Sequence, residues 1–134
     1  MTKLIELNGI DHKAASRLGK MGIDSAETLL KRGHTPQART QLAQKTLISS
    51  RRLLTWVQLA DLLRINGIGC DYAILLNQVG VKTVTELGQS EASSLRIKLD
   101  QINRRRRTVK RVPAVSRIET WISSAQQLHT LVEA

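Results

Sequence analysis

The chain repeats itself at a constant offset of 58 residues, the segment 5–29 aligning on 63–87 without a gap. Asn8-Gly9-Ile10 falls on Asn66-Gly67-Ile68, Ala15 on Ala73, Leu18 on Leu76, Gly22 on Gly80, Ile23 on Val81 and Leu29 on Leu87. Matches concentrated at glycines and apolar positions describe a repeated architecture. Each copy reads as an apolar helix end, a glycine turn, a helix, a glycine with a β-branched residue, a cap and a short helix. Gly67 and Gly69 permit a tight turn at positive φ, Ala73 lets two helices approach closely, and Gly80 stops the helix carrying Leu75 and Leu76. Thr83 followed by Glu86 has capping-box spacing and starts a short helix with Val84 and Leu87. In the first copy Asp24 or Ser25 takes the cap.

The rest of the chain is helical by the same criteria. Leu53, Trp56, Val57, Ala60 and Leu63 recur at three and four residues, and no alternating β-branched run competes. The fold class is therefore all-α. Thr35-Pro36 marks a helix start, with the hydroxyl as cap and the proline at the first helical position, and that helix carries Leu42. Ser49 or Ser50 caps the next one, whose apolar face runs from Leu53 to Leu62. Ser90-Glu91 begins another with Leu95, Leu99 and Ile102. After Pro113 a last helix is expected to carry Val115, Ile118, Trp121, Ile122, Ala125, Leu128 and Leu131.

Asn66-Gly67-Ile68-Gly69, followed by Ala73, Leu76, Gly80-Val81 and Leu87, resembles the helix-hairpin-helix motif. A longer ordered set of words resembles the domain of unknown function 4332 family. These are Leu42-Ala43-Gln44-Lys45-Thr46, Trp56, Ala60-Asp61-Leu62, Arg64-Ile65, Gly80-Val81-Lys82-Thr83-Val84, Glu86-Leu87, Val112-Pro113 and Trp121-Ile122. The resemblance covers nearly the whole chain and implies a tandem helix-hairpin-helix fold. A nucleic-acid role follows from it only by analogy with other helix-hairpin-helix proteins. Neither hairpin alone buries a sizeable core, so the two pseudo-repeated units are expected to share one with the C-terminal helix in a single domain spanning 1–134. The first unit is placed at 3–33, connecting helices at 35–62, the second unit at 63–89, and C-terminal helices at 90–134 with a basic stretch at 104–111.

Charge narrows the function. Lys and Arg number 21 against 11 Asp and Glu, a net charge of +10, which favours anionic partners such as DNA, RNA or an acidic protein. Six of those charges lie in eight residues, Arg104, Arg105, Arg106, Arg107, Lys110 and Arg111, and removing them leaves +4. Four successive arginines serve no folding purpose, pointing every way on a helix and repelling one another in a loop. They read either as a solvated connector before Pro113 or, as favoured here, as an anion site that Arg96, Lys98 and Arg117 widen. Arg51 and Arg52 form a lesser cluster at a helix start, where the dipole disfavours cations.

In phosphate-binding hairpins the amides of a glycine turn point at a phosphate from a helix N-terminus, with a basic side chain nearby. Asn66, Gly67, Ile68 and Gly69 supply the turn in the second copy, but Asp71 stands where a lysine would help. The first copy keeps Lys13 and has Asp11 in place of the second glycine. Either hairpin therefore also reads as a packing element whose helix dipole is satisfied by Asp11 or Asp71.

Other chemistries lack their residues. His12, His34, His129 and Cys70 show no zinc-ligand spacing, and no nucleophile-elbow, phosphate-loop or metalloprotease signature occurs. Neither enzyme activity, metal nor cofactor is expected. Aromatic residues, Trp56, Trp121 and Tyr72, are too few for base stacking, so duplex is favoured over single strand, and both tryptophans fall on core faces. Cys70 is expected to be a small buried thiol, and a lone cysteine suits a reducing, cytoplasmic setting. No apolar stretch reaches the roughly 20 residues that span a bilayer, and no secretory leader is legible, so membrane insertion is not expected. The reading is a non-enzymatic module that contacts nucleic-acid phosphates with little sequence specificity. The alternative is an interaction or scaffolding module whose basic surface meets an acidic protein.

Overall fold

The structure is a computed structural model that describes residues 2–7 and 10–134, so the Asn8-Gly9 turn of the first repeat lies outside the described residues. Among them are eight α-helices and no strand: α1 (His12–Gly19), α2 (Ala26–Gly33), α3 (Pro36–Thr46), α4 (Ser50–Leu62), α5 (Cys70–Gln78), α6 (Val84–Gly88), α7 (Ala92–Arg106) and α8 (Val115–Gln127). The fold is all-α, as the apolar spacing predicts. Two compact units are distinguished, Met1–Asp61 with Leu131–Ala134, and Leu62–Thr130.

In the first unit a 3₁₀ turn at Leu4–Glu6 precedes α1, and α3 packs against both α1 and α2. Its core holds Leu7, Leu18, Ile23, Leu29, Leu53 and Val57, all 2% exposed or less. Gly33 ends α2 where a Cβ would stand 3.0 Å from Val57 Cγ2, so close helix contact there requires the missing side chain. In the second unit α8 packs against α6 and α7, and α7 against α5, around Leu76, Leu87, Leu99, Ile118 and Trp121.

The caps follow the local chemistry. The Asp11 carboxylate accepts Ala14 N–H at 2.8 Å, and Ser25, rather than Asp24, accepts Thr28 N–H at 3.2 Å. Thr35 accepts Ala38 N–H at 3.1 Å, with Pro36 opening α3. Ser49 accepts Arg52 N–H at 3.2 Å ahead of α4, and the Glu91 carboxylate takes the Ser93 and Ser94 amides at 3.1 and 2.7 Å. At α6 only half of the expected capping box forms. Thr83 accepts Glu86 N–H, but the Thr83 hydroxyl itself donates to the Glu86 carboxylate, both at 3.0 Å.

Helix ends recur 58 residues apart. Ile23 N–H bonds Leu18 O and Gly22 N–H bonds Gly19 O, while Val81 N–H bonds Leu76 O and Gly80 N–H bonds Asn77 O, all at 3.0 Å. Gly22 and Gly80 sit at φ +80° and +93°, the left-handed geometry this paired C-cap needs.

Three expectations are corrected. Gly69 is an extended N-cap at φ −89°, so Gly67 at φ +92° alone carries the positive φ of the turn. Cys70 is half-buried rather than enclosed, because it opens α5 beside the exposed Gly69. The last helix stops at Gln127, since Leu128 turns extended at φ −103° and ψ 149°, and Leu131 lies beyond it, 46% exposed. Leu47 closes α3 in the left-handed region at φ 60° while 77% exposed, just ahead of the Ser49 cap.

Candidate nucleic-acid interface

The basic run spans a helix end and a closed loop. Arg104, Arg105 and Arg106 form the last turn of α7, and Arg107 caps it at φ 51° and ψ 43°, its N–H bonded to Asn103 O at 2.8 Å. Asn103 then clasps the returning chain: its Nδ2 donates to Val109 O at 2.9 Å and its Oδ1 accepts Val109 N–H at 3.0 Å. Thr108 donates to Gln78 Oε1 at 2.8 Å, fastening the loop to the end of α5. Pro113 is buried where the loop leads into α8. The run is thus held in shape by bonds that leave its cations outward.

All six side chains are exposed. Arg104 pairs with Asp100 at 2.8 Å, and its side chain remains 77% exposed. Among the described residues no carboxylate pairs with Arg105, Arg106, Arg107, Lys110 or Arg111. Arginines at a helix C-terminus are favoured by the dipole, which offsets part of their mutual repulsion. The remainder is unrelieved positive potential, a condition that draws anions.

The glycine turn lies at the other end of α5. Nine residues at 1.5 Å each separate it from the Gln78 end by about 13 Å. Asn66, Gly67 and Gly69 are exposed, whereas Ile68 is 4% exposed and offers only its main chain. Gly69, the N-cap of α5, offers no side chain as a cap, in contrast to Asp11 at α1. A Cβ on Gly67 would meet Trp121 Nε1 at 3.2 Å, so the turn presses directly on the indole.

Arg117, expected to widen the basic run, is engaged at this turn. Its Nη2 donates to Gly67 O at 3.3 Å, and its guanidinium stacks 5.1 Å from the Tyr72 ring and 5.7 Å from the Trp121 ring. The two rings themselves meet at 5.2 Å, tilted by 55°. The turn therefore has an exposed cation beside it despite the exposed Asp71 in the first turn of α5. Sequence periodicity places Arg117 near the run by chain proximity; only tertiary packing of α8 brings it to Gly67. Lys13, also exposed, lies on α1 in the other unit.

Trp56 and Trp121 are 2% and 1% exposed, as their apolar faces predict. Arg52 covers Trp56 at 4.8 Å, which accounts for a cation at the start of α4. The depression along α8 lined by Ser116, Thr120, Ser123, Ser124, Glu119 and Gln127 is open and polar, without a nucleophile–base pair. Among the described residues no group of three or more His, Cys, Asp and Glu could hold a metal ion. None of their helices is long and apolar enough to cross a membrane.

Residues 8–128 match the model of the family described as Domain of unknown function (DUF4332), and the chain belongs to that family. No curated protein and no solved structure matches it.

Proposed function

As a member of a family whose description carries no activity, the chain takes its functional reading from its own surface, and we propose that it is a non-enzymatic module binding nucleic-acid phosphates with little sequence preference. The carrying observation is the last turn of α7 with the clasped loop after it, which together hold Arg105, Arg106, Arg107, Lys110 and Arg111 outward and without carboxylate partners. Phosphate contacts of this kind position a duplex without reading its bases. The Gly67 turn with Arg117 would orient one further phosphate. Its separation of about 13 Å along α5 corresponds to roughly four steps of 3.4 Å along one strand, within the reach of one duplex. The reading treats the segments 5–29 and 63–87 as paired helix-hairpin-helix units. The matching bonds at Gly22 and Gly80 support that pairing. Duplex is favoured over single strand because both tryptophans are buried and Tyr72 lies beneath Arg117.

The test compares wild type with Arg104, Arg105, Arg106 and Arg107 all changed to Gln, using labelled duplex DNA, duplex RNA and single strands in fluorescence anisotropy. Loss of duplex affinity in the variant supports the proposal; unchanged affinity rejects it. A second reading, an acidic protein partner, is favoured by one observation. Ile97 is 58% exposed and stands seven residues before Arg104 on the same face of α7, an apolar anchor beside the charges. Polyglutamate competing with equal strength, together with affinity lost in Ile97→Ser, would select it.

A further inference from the structure

Two charged side chains outside the proposed interface are almost fully enclosed, Arg39 at 3% and Asp61 at 1% exposure. Both hold the main chain of the same four residues. Asp61 Oδ2 accepts Leu131 N–H at 3.2 Å, Arg39 Nη2 donates to Glu133 O, and Glu133 N–H donates to His34 O at 2.8 Å. Arg39 Nη1 donates to Gly33 O at 2.8 Å, fixing the guanidinium against the end of α2. Burial pulls the Arg39 guanidinium below its ordinary range, and the Glu133 carboxylate opposes that effect.

Buried charged groups are costly unless hydrogen-bonded. Here part of that bonding comes from a segment, 131–134, that is neither helix nor strand. Its side chains do little packing: Leu131 is 46% exposed, and Glu133 and Ala134 are exposed. Attachment therefore goes through the backbone, the logic by which extended peptides are recognised when main-chain bonds supply affinity.

We propose that His34, Arg39 and Asp61 form a docking groove for an extended polypeptide, filled here by residues 131–134 of the same chain and able to take residues 131–134 of a second copy in exchange. The second copy presents the same main-chain donors and acceptor, so exchange restores every bond it breaks. The chain leaves α8 through Leu128 in an extended conformation, and Thr130 is bonded to Thr85, so the exchange pivots at the Thr130–Leu131 junction. In dilute solution the tethered segment wins, because a short linker gives it an effective concentration on the order of millimolar.

The test separates groove from segment in full-length chains. Leu131→Pro with Glu133→Pro removes both N–H donors and leaves an open groove; Arg39→Met breaks the groove and frees a normal segment. Each alone is expected to sediment as one species, and the mixture as an added species of their combined mass. A labelled peptide of residues 128–134 should bind the open-groove chain saturably, and at least tenfold more weakly when Arg39→Met is added. Should the open-groove chain melt early, the peptide is expected to restore its circular-dichroism transition. Absence of the mixed species, together with no peptide binding or rescue at about 1 mM, overturns the proposal. Residues 104–111 are untouched in every variant, so this outcome is independent of the phosphate reading.

Discussion

Arg107 closes α7 with φ 51° and ψ 43°, a conformation in which a side chain crowds the following carbonyl. Glycine adopts it freely, whereas an L residue is penalised by about 1–2 kcal/mol. Part of that gain is offset by glycine's larger unfolded-state entropy, leaving Arg107→Gly more stable by about 0.5–1 kcal/mol. For a chain of this size that raises Tm by about 2–4 °C. Losing the cation's favourable interaction with the helix C-terminus is countered by relieving repulsion from Arg104, Arg105 and Arg106. The same substitution removes a phosphate contact. The log-log salt slope should become shallower by about 0.9, an affinity loss of about fivefold at 0.15 M salt from counterion release alone. Arg107→Lys keeps both the strain and the charge, so it should leave Tm and affinity near wild type. Thermal melts and anisotropy titrations at several salt concentrations measure both quantities. A lower Tm for Arg107→Gly refutes the strain argument, and an unchanged slope removes Arg107 from the interface.

Other outcomes follow from the turns and caps. Gly67→Ala should destabilise by about 1–2 kcal/mol in chemical denaturation, since φ is +92° and the new Cβ would press on Trp121 Nε1 at 3.2 Å. Gly69→Ala should be nearly neutral in the same assay, with φ −89° and nothing within 4 Å of its Cβ. Leu47→Gly should raise stability by about 0.5–1 kcal/mol, because φ is 60° and the exposed side chain contributes little packing. Ser25→Ala should lower it by about 1 kcal/mol through loss of the cap on Thr28 N–H. Hydrogen bonds from Ser94, then Ser93, hold the Glu91 carboxyl below its ordinary value of 4.5. Its stabilising contribution is present above that value and lost as pH falls through the lowered one. Wild type and Glu91→Gln should therefore differ in Tm at neutral pH and converge in acid.

Local chemistry made much of the fold legible. Thr35 before Pro36 specifies a helix start from adjacent residues alone, and Gly80 specifies a stop because few other residues accept its φ. Trp56 and Trp121 reveal burial through apolar spacing. Less was visible where the partner lies far along the chain. Arg39 and Asp61 look like surface charges until residues 131–134, some 94 and 70 positions later, supply their bonds. The same applies to Arg117, whose place beside Gly67 is set by α8 packing across 50 residues. The cationic run was plain in sequence, but the Asn103–Val109 clasp that shapes it was not, because an asparagine before four arginines carries no signal of its own.

The central claim is that the clasped basic loop binds phosphates, and the salt dependence of duplex binding tests it most directly. With about four phosphates neutralised, log affinity should fall against log salt with a slope of about −3.6, and replacing Arg104 through Arg107 by Gln should remove most of that slope. Equal slopes for wild type and variant, or no duplex binding by wild type near physiological salt, would contradict the account.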